Sequence, residues 1–302
     1  MMQVIDDLVS IVGKEGVLTD ERMKKHTTFR VGGPADFYVM PKDKEALRDI
    51  LLLCKDKGIE YHIIGNGSNL LVGDKGIRGM VINTSSKLNY LQTEGNIITA
   101  GAGSLLSKVA KEALHAGLTG MEFAAGIPGT VGGAVVMNAG AYGSDISEVI
   151  LEATVITPEG EFKTLSNEEL ELGYRKSCIE KNNYIVVEAK FGLKQGDREQ
   201  ISSYMEELAI RRREKQPLEY PSAGSTFKRP EGYFAGKLIM EAGLAGYRIG
   251  GACVSPKHCG FVVNDEGATA ADIVKLCSDT AEIVKEKYNV NLEMEVKKLG
   301  EF

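Results

Sequence analysis

The sequence predicts an α+β protein in two parts, and three observations lead to this prediction. Between Lys42 and about Leu193, segments with the helical spacing of apolar residues alternate with short apolar strands. A long polar helix then leads into the basic run RRREK and Pro217, after which new helical signals follow. The 302 residues have the length of about two domains of ~100 to 200 residues each. We therefore predict one domain at residues 1–195 and a second at residues 196–302.

The first domain is predicted to open with a helix and several strands. Asp43 is a suitable N-cap for a helix with apolar residues three and four positions apart, and Gly58 would end it before the strand YHII. The segments GMVINT and NIITAGAG are typical of further strands. Ser104 is predicted to cap the next helix, and Gly117 to end it.

The remainder of this domain is predicted to contain a hairpin. Residues 150–166 form its two strands around the turn ProGluGly, and Ser166 with Glu169 has the spacing of a capping box for a short helix. The strand YIVVEAKFGL then closes the domain. Asp197 is predicted to start the long polar helix, with four apolar residues on one face: Ile201, Tyr204, Met205 and Leu208.

Two shorter helices and a terminal strand are predicted in the second domain. The helices lie near residues 234–242 and at residues 271–287, the second with Ile273, Leu276, Cys277 and Val284 on its apolar face. Near the C-terminus, apolar residues alternate in LEMEV as in a strand, which places Glu293 and Glu295 on the opposite face.

Charge and composition exclude several classes of protein. The net charge of −6 provides no global basic field, so we expect no nucleic-acid partner. No apolar run approaches the ~20 residues of a membrane span, and the acidic N-terminus lacks the layout of a signal peptide. We therefore expect a cytoplasmic protein without a membrane partner. The five cysteines contain no CxxC pair, and a metal bound by Cys253, His258 and Cys259 is less favoured than ordinary thiols.

The excess of glycine points to loops with unusual backbone geometry. The chain has 35 glycines, and two glycine-rich segments, GNGSNLLV at residues 65–72 and GIPGTVGGAVVMNAGAYG at residues 126–143, fall in the first domain. Without Cβ atoms, such loops let backbone NH groups approach a phosphate. Two loops in one domain suggest a dinucleotide, and a purely structural role for both is the alternative.

A few charged and hydroxyl side chains are candidates for chemistry. Arg175 in YRKS is able to clamp a carboxylate through two parallel NH bonds, although an exposed arginine in a loop is the plainer interpretation. The segment SAGSTFKRP, which ends in Lys228 and Arg229, is either a phosphate loop or a turn. The four histidines have no spacing suited to a metal, and no Ser-His-Asp arrangement is assembled from them.

Taken together, five segments in order resemble one protein family. These segments are HTTFRVGGPAD, GNGSNLLV, GIPGTVGGAVVMNAGAYG, YRKS, and GSTFKRPEGYFAGKLIMEAGL with the terminal LEMEV. From about His26 to Gly300, the chain resembles the UDP-N-acetylenolpyruvoylglucosamine reductases. The resemblance implies a cytoplasmic flavoenzyme of peptidoglycan synthesis, needed for cell shape and division. Its members use NADPH and non-covalently bound FAD to reduce the enolpyruvyl ether of a UDP-sugar, giving UDP-N-acetylmuramate. The implied fold is that of the vanillyl-alcohol-oxidase flavoproteins, with a separate α+β substrate domain.

The resemblance also implies roles for individual residues. Arg175 matches the arginine that stabilises developing negative charge, Ser225 matches the proton donor, and Glu295 matches a glutamate that assists. The residues implied for FAD are Asn66, Gly67, Ser68, Asn69, Gly126, Gly129, Gly132, Gly133 and Asn138. For the substrate we name Tyr174 and Lys215, on charge and reach, together with Arg229, where some members have asparagine.

Some alternatives remain open after the resemblance. The chain lacks the longer tyrosine-bearing insertion that some members carry after YRKS, so the residues that hold uridine are not identified. A flavin oxidase of the same fold acting on a sugar or alcohol is the alternative enzyme, and a non-catalytic nucleotide-binding module is the alternative from another class. We expect a monomer, but sequence alone sets neither the oligomeric state, nor the preference for NADPH over NADH, nor the protonation state of Glu295.

Overall fold

The computed structural model describes residues 2–302 and divides by its contacts into two compact units. Unit 1 comprises residues up to Thr19 together with Phe37–Asn66 and Gly79–Arg212, and unit 2 comprises Asp20–Asp36, Gly67–Arg78 and Arg213–Phe302. Both units are therefore discontinuous in sequence. The division into domains at residues 1–195 and 196–302 stays a prediction.

Helices and short strands follow one another along the described chain, as predicted. The helices are α1 Met2–Val12, α2 Lys44–Lys57, α3 Leu106–Ala116, α4 Val131–Met137, α5 Cys178–Lys181, α6 Arg198–Lys215, α7 Ala235–Glu241 and α8 Ala270–Tyr288. The strands up to residue 145 are β1 Val17–Arg22, β2 Pro34–Val39, β3 Tyr61–Ile64, β4 Leu70–Val72, β5 Ile77–Asn83, β6 Leu91–Glu94, β7 Ile97–Gly101, β8 Leu118–Thr119, β9 Gly140–Ala141 and β10 Ser144–Asp145. The later strands are β11 Ile150–Ile156, β12 Phe162–Ser166, β13 Ile185–Gly192, β14 Lys194–Gln195, β15 Arg248–Ile249, β16 Ala252–Val254, β17 Val262–Asn264 and β18 Lys297–Leu299.

Unit 1 contains a five-stranded sheet and most of a four-stranded sheet. The five-stranded sheet has the order β12-β11-β13-β7-β6 with antiparallel pairs, and its apolar face forms one core with α3 and α4. The four-stranded sheet has the order β1-β2-β5-β3, and α1 and α2 pack on it to form another core. The predicted hairpin is confirmed as β11 and β12.

Several local signals in unit 1 are confirmed, and one is wrong. The Asp43 carboxylate accepts a hydrogen bond from Ala46 N at 2.7 Å, while Gly58 and Gly117 end α2 and α3 in the left-handed conformation. Ser104 does not cap α3, because its hydroxyl donates to Tyr90 O at 2.9 Å and the cap position is one residue later.

The second capping prediction is correct in its bonds and wrong in its helix. Ser166 N donates to the Glu169 carboxylate at 2.9 Å, and Glu169 N donates to the Ser166 hydroxyl at 3.3 Å. The residues after Ser166, however, form a turn and not a helix. The long polar helix is confirmed as α6, with Ile201 and Leu208 buried. Tyr204 is 44% exposed and so does not lie on the buried face.

Unit 2 packs α7 and α8 against a small antiparallel sheet. The order of this sheet is β15-β16-β17, and the predicted apolar face of α8 is confirmed, because all four residues named for it are buried. A distant side chain completes the start of α8: the Asp74 carboxylate accepts hydrogen bonds from Ala270 N at 2.8 Å and Ala271 N at 2.9 Å. A carboxylate stabilises a helix N-terminus both as an acceptor and as a charge.

The C-terminal segment pairs with an early part of the chain. Strand β18 pairs in parallel with β4, so that Lys297 lies opposite Leu70. The predicted strand over LEMEV is correct only in part, since a single bridge joins Met294 to Phe227 and the regular strand begins at Lys297. Along this segment Glu293 is exposed, Glu295 is half-buried and Val296 is buried.

All five cysteines are buried and free, and burial raises the pKa of Cys277 to about 12. Residues 2–302 contain no group of three or more histidine, cysteine or acidic side chains placed to hold a metal. Among the helices of this part of the chain, none combines the length and apolar character that crossing a membrane requires.

Candidate active site

The two predicted glycine loops approach each other within unit 1. The Asn66 side chain donates to Pro128 O at 2.7 Å, and a Cβ atom on Gly65 would lie only 2.1 Å from Thr130 Oγ1. Any larger residue at position 65 would therefore push the loops apart. The start of the first loop and the second loop thus form one continuous surface, which we call the glycine cradle (residues 65–66 and 126–133).

The backbone of the second loop is fixed by hydrogen bonds at two residues and exposed at the next one. Val131 N and Gly132 N each donate at 2.8 Å to backbone carbonyls of Ser104 and Ala102. In contrast, Gly133 is exposed, and a Cβ atom added there would find no nearer neighbour than Thr130 Oγ1 at 3.8 Å. A glycine-rich stretch whose backbone is fixed by hydrogen bonds fits the flat rings and pyrophosphate of a dinucleotide such as FAD.

One cation beside the cradle was not predicted from the sequence. Arg212 is half-buried, and a Cβ atom on Gly126 would lie 3.1 Å from Arg212 Cδ. Burial lowers the pKa of this guanidinium, although an arginine stays charged at neutral pH. Its neighbours Arg211 and Arg213 are exposed. The run RRREK holds no signal that distinguishes the three arginines, and only the packing of α6 does so.

The second half of the first loop belongs to unit 2. Gly67 has φ +61°, and a Cβ atom there would lie 2.1 Å from His26 O, so the position requires glycine. Two residues later, the Asn69 side chain donates to Glu295 O at 3.3 Å, and Lys297 N donates to Asn69 O at 3.0 Å. The structure therefore brings the Asn69 segment directly to the segment that carries Glu295.

The segments of Ser225 and Glu295 are also joined. Glu295 N donates to Thr226 O at 2.8 Å, and Thr226 is fully buried, with its hydroxyl accepting from Val262 N at 2.9 Å. Ser225 is exposed on this anchored strand-like segment, directly after Gly224, whose φ is +77°. A short hydroxyl side chain is thus held on a rigid backbone in unit 2.

The three cations Lys228, Arg229 and Lys215 lie in different environments. Lys228 forms an ion pair with Glu293, so its ammonium group is directed to the exposed face of the terminal segment. The Arg229 guanidinium stacks on the Phe234 ring at 4.0 Å from the centroid. Lys215 is exposed as the last residue of α6.

Arg175 lies at the tip of a tight turn in unit 1. Gly173 and Lys176 bond to each other through both backbone groups, at 3.0 and 3.2 Å, and enclose Tyr174 and Arg175. Arg175 has φ +56°, a conformation that is uncommon outside glycine and costs of order 1–3 kcal/mol. Its guanidinium lies 5.3 Å from the centroid of the Tyr174 ring.

Asn138 lies between the cradle and this turn. It ends α4 in the left-handed conformation and is buried, with 4% of its surface exposed. Its amide donates to Gly173 O at 3.3 Å, and its side-chain carbonyl accepts from Ser147 N at 3.0 Å. The side chain predicted to contact FAD is therefore bonded to the backbone of the Arg175 turn.

Comparison with known proteins decides which family this arrangement belongs to. Residues 216–299 match the profile of the C-terminal domain of UDP-N-acetylenolpyruvoylglucosamine reductase, and residues 35–166 match that of an FAD binding domain. A UDP-N-acetylenolpyruvoylglucosamine reductase of Agathobacter rectalis is 56% identical over 299 residues, covering 95% of both chains. One of Lachnoclostridium phytofermentans is 52% identical, covering 99% of this chain and 97% of its own. The chain belongs to this reductase family.

Solved structures agree with that assignment. The crystal structure of UDP-N-acetylenolpyruvylglucosamine reductase from Thermus caldophilus aligns with a TM-score of 0.80 and 36% identity, covering 92% of this chain and 97% of that one. A Phl p 4 variant described as a glucose oxidase aligns with a TM-score of 0.52 at 13% identity over 65% of this chain and 44% of that one, which shows the FAD-binding fold alone.

Membership in the reductase family confirms the predicted activity. The chain is an FAD-dependent oxidoreductase of peptidoglycan synthesis that reduces the enolpyruvyl UDP-sugar, with NADPH as reductant. The alternative of a sugar or alcohol oxidase is not favoured, because the reductase matches extend through the second half of the chain. The predicted fold class is likewise confirmed.

Proposed function

We propose that Arg175, Ser225 and Glu295 carry the chemistry of the reduction that yields UDP-N-acetylmuramate. The observation that supports this most is the arrangement in unit 2, where the exposed Ser225 hydroxyl stands on a segment bonded by its backbone to Glu295. A group that delivers a proton to one carbon atom needs a fixed position, and this segment is fixed by buried bonds on both sides of Ser225.

We propose that bound FAD is held by the residues predicted for it other than Asn138, whose side chain is buried and has both its amide and its carbonyl bonded to backbone groups. We also propose that Arg212 adds a positive charge near the pyrophosphate. When bound and reduced, FAD supplies the hydride for the terminal enol-ether carbon of the substrate.

Arg175 then has an electrostatic task. After the hydride arrives, negative charge develops on the neighbouring carbon and spreads into the carboxylate of the substrate. A fixed guanidinium lowers the barrier because it interacts more strongly with this charge than with the neutral double bond. The bidentate geometry of arginine suits a carboxylate, which supports this assignment for Arg175.

Ser225 and Glu295 complete the reduction. The carbanionic carbon is strongly basic and requires a proton, so even a serine hydroxyl of ordinary acidity is an adequate donor at short range. We assign that proton to Ser225. Glu295, on the adjacent segment, assists enol formation or proton transfer.

The remaining assignments concern the substrate and its setting. Arg229, stacked on Phe234, and the exposed Tyr174 and Lys215 are proposed to meet the UDP part of the substrate. We also propose that the enzyme works in the cytoplasm as a monomer, and that it supports cell shape and division through peptidoglycan supply.

A single anaerobic titration tests the proposed function. We expect the purified protein to be yellow and to be reduced by NADPH, with the oxidised spectrum returning only after the enolpyruvyl UDP-sugar is added. Absorbance follows the loss and return of the oxidised flavin spectrum, and mass spectrometry detects the UDP-N-acetylmuramate that is formed. A colourless protein that takes up no flavin, or a reduced protein that the substrate does not reoxidise, would contradict the proposal.

The glycine cradle is tested by Gly133→Ala. Because the added methyl group meets no protein atom closer than 3.8 Å and alanine favours a helix, the apo protein should keep or slightly raise its unfolding temperature. If the flavin lies against this surface, overpacking by ~1–3 kcal/mol should weaken flavin binding about fivefold or more. Flavin fluorescence titration measures the affinity. An unchanged affinity would remove Gly133 from the cofactor site.

A further inference from the structure

The turn that carries Arg175 is tied at both ends to one short helix. At its start, Asn138 Nδ2 donates to Gly173 O at 3.3 Å. At its end, the Ser177 hydroxyl donates to Val136 O at 2.9 Å. Asn138 and Val136 belong to the C-terminal end of α4, so this helix end holds the turn on both sides of the arginine.

The turn needs such support because its backbone is strained. Arg175 has φ +56°, and a non-glycine residue stays in this region only where its surroundings enforce it. The two mutual backbone bonds of Gly173 and Lys176 close the turn but do not fix its direction. The side chains of Asn138 and Ser177 supply that direction. Asn138 reaches from the end of α4 to the start of the turn, and Ser177 reaches from the end of the turn back to α4.

The Asn138 side chain is buried and hydrogen-bonded through both of its polar atoms. With 4% of its surface exposed and both its amide and its carbonyl bonded to backbone groups, it offers little to a ligand. Ser177 is similarly occupied, because its hydroxyl also accepts from Ile179 N at 3.3 Å and so starts α5. Neither side chain is exposed in the way that Ser225 is.

We infer that Asn138 and Ser177 are positioning residues for Arg175, which hold its guanidinium at the place where charge develops on the substrate. This inference rests on the role proposed above for Arg175. It also gives α4 two tasks: its first residues form part of the glycine cradle, and its last residues aim the arginine. Asn138 then contributes to reduction of the substrate and makes no bond to the flavin.

The inference is tested with Asn138→Gly, which removes the side chain and keeps a residue suited to the left-handed conformation. We expect flavin affinity and flavin reduction by NADPH to stay within about twofold of the parent. Reoxidation by substrate should slow by ~10-fold to ~10²-fold, the cost of a misplaced catalytic group. Asn167→Ala is the matched control, because its amide donates to a different carbonyl, Ser147 O at 2.8 Å, and it should leave reoxidation unchanged.

A double-mutant cycle distinguishes positioning from a general structural role. In an Arg175→Ala background, Asn138→Gly should slow reoxidation less than twofold further, because the group that it positions is gone. An equal slowing in both backgrounds, or lost flavin binding in Asn138→Gly, would overturn the inference. If Arg175→Ala itself leaves reoxidation unchanged, the proposed role of Arg175 fails and the inference fails with it. If reoxidation is slow in Arg175→Ala but normal in Asn138→Gly, the inference is overturned while the proposed role of Arg175 stands.

Ser177 provides a second, independent pair of variants. Ser177→Ala should slow reoxidation in the same selective way, and Ser177→Thr, which keeps the hydroxyl, should restore most of the rate. Apo-protein unfolding temperatures, measured for each variant without flavin, show whether the fold is kept. Failure of threonine to restore the rate in a folded protein would contradict a hydrogen-bonding role for Ser177.

Discussion

Ser225→Ala should leave flavin reduction by NADPH intact and slow reoxidation by the enolpyruvyl UDP-sugar by at least ~10²-fold, the scale of a lost general acid. The reason is local: Ser225 is exposed on a segment whose neighbours are buried and bonded, so removal of its hydroxyl changes the chemistry without changing the fold. Stopped-flow absorbance measures the two half-reactions separately.

Two further variants sharpen this test. Ser222→Ala removes a hydroxyl from the same segment at a position next to strand β17, and should reoxidise at the parental rate. Ser225→Cys supplies a more acidic proton and should retain far more activity than alanine. Equal reoxidation rates in Ser225→Ala and the parent would remove Ser225 from the mechanism.

Arg175→Ala should slow the same half-reaction by about 10²-fold to 10³-fold, the range found when one preorganised donor to a developing anion is removed. Flavin binding should persist, because the turn that carries Arg175 is held by backbone bonds and by α4. Arg175→Lys keeps the charge and loses the planar pair of donors, so it should recover only part of the rate.

The adjacent Lys176 provides the matched control for Arg175. Its backbone closes the same turn while its side chain is exposed, so Lys176→Ala changes the net charge by the same amount and keeps the guanidinium. We expect it to leave both half-reactions unchanged. If Lys176→Ala and Arg175→Ala slowed reoxidation equally, a general effect of charge would explain the result and the specific role would fail.

Local sequence signals predicted much of the fold. The helix ends at Asp43, Gly58 and Gly117 depend on contacts within a few residues, so the sequence alone predicts them. Ser104 was wrong because its hydroxyl bonds to a carbonyl 14 residues away. In the same way, the hydrogen bond from Ala270 N at the start of α8 to the Asp74 carboxylate spans 196 residues and leaves no local signal.

The candidate site shows the same limit. The residue types and their order identified the family, and with it the cradle and the catalytic candidates. Only the packing of α6 separates Arg212 from its neighbours in RRREK, and only a hydrogen bond to a residue 35 positions away shows that Asn138 is bonded to the turn of Arg175. Such assignments depend on long-range contacts, which one sequence does not contain.

The parallel pairing of β4 with β18 also sets an order of events during synthesis. The segment Gly67–Arg78 is translated early, but its partner strand is made roughly 230 residues later, which takes about 10–45 s at ~5–20 residues per second. Until then the Asn69 segment lacks the backbone bonds that hold it. The Asn69 segment therefore reaches its final conformation only after Lys297–Leu299 have been translated. A tag fused behind Phe302 would lie next to β18, the strand that holds this segment.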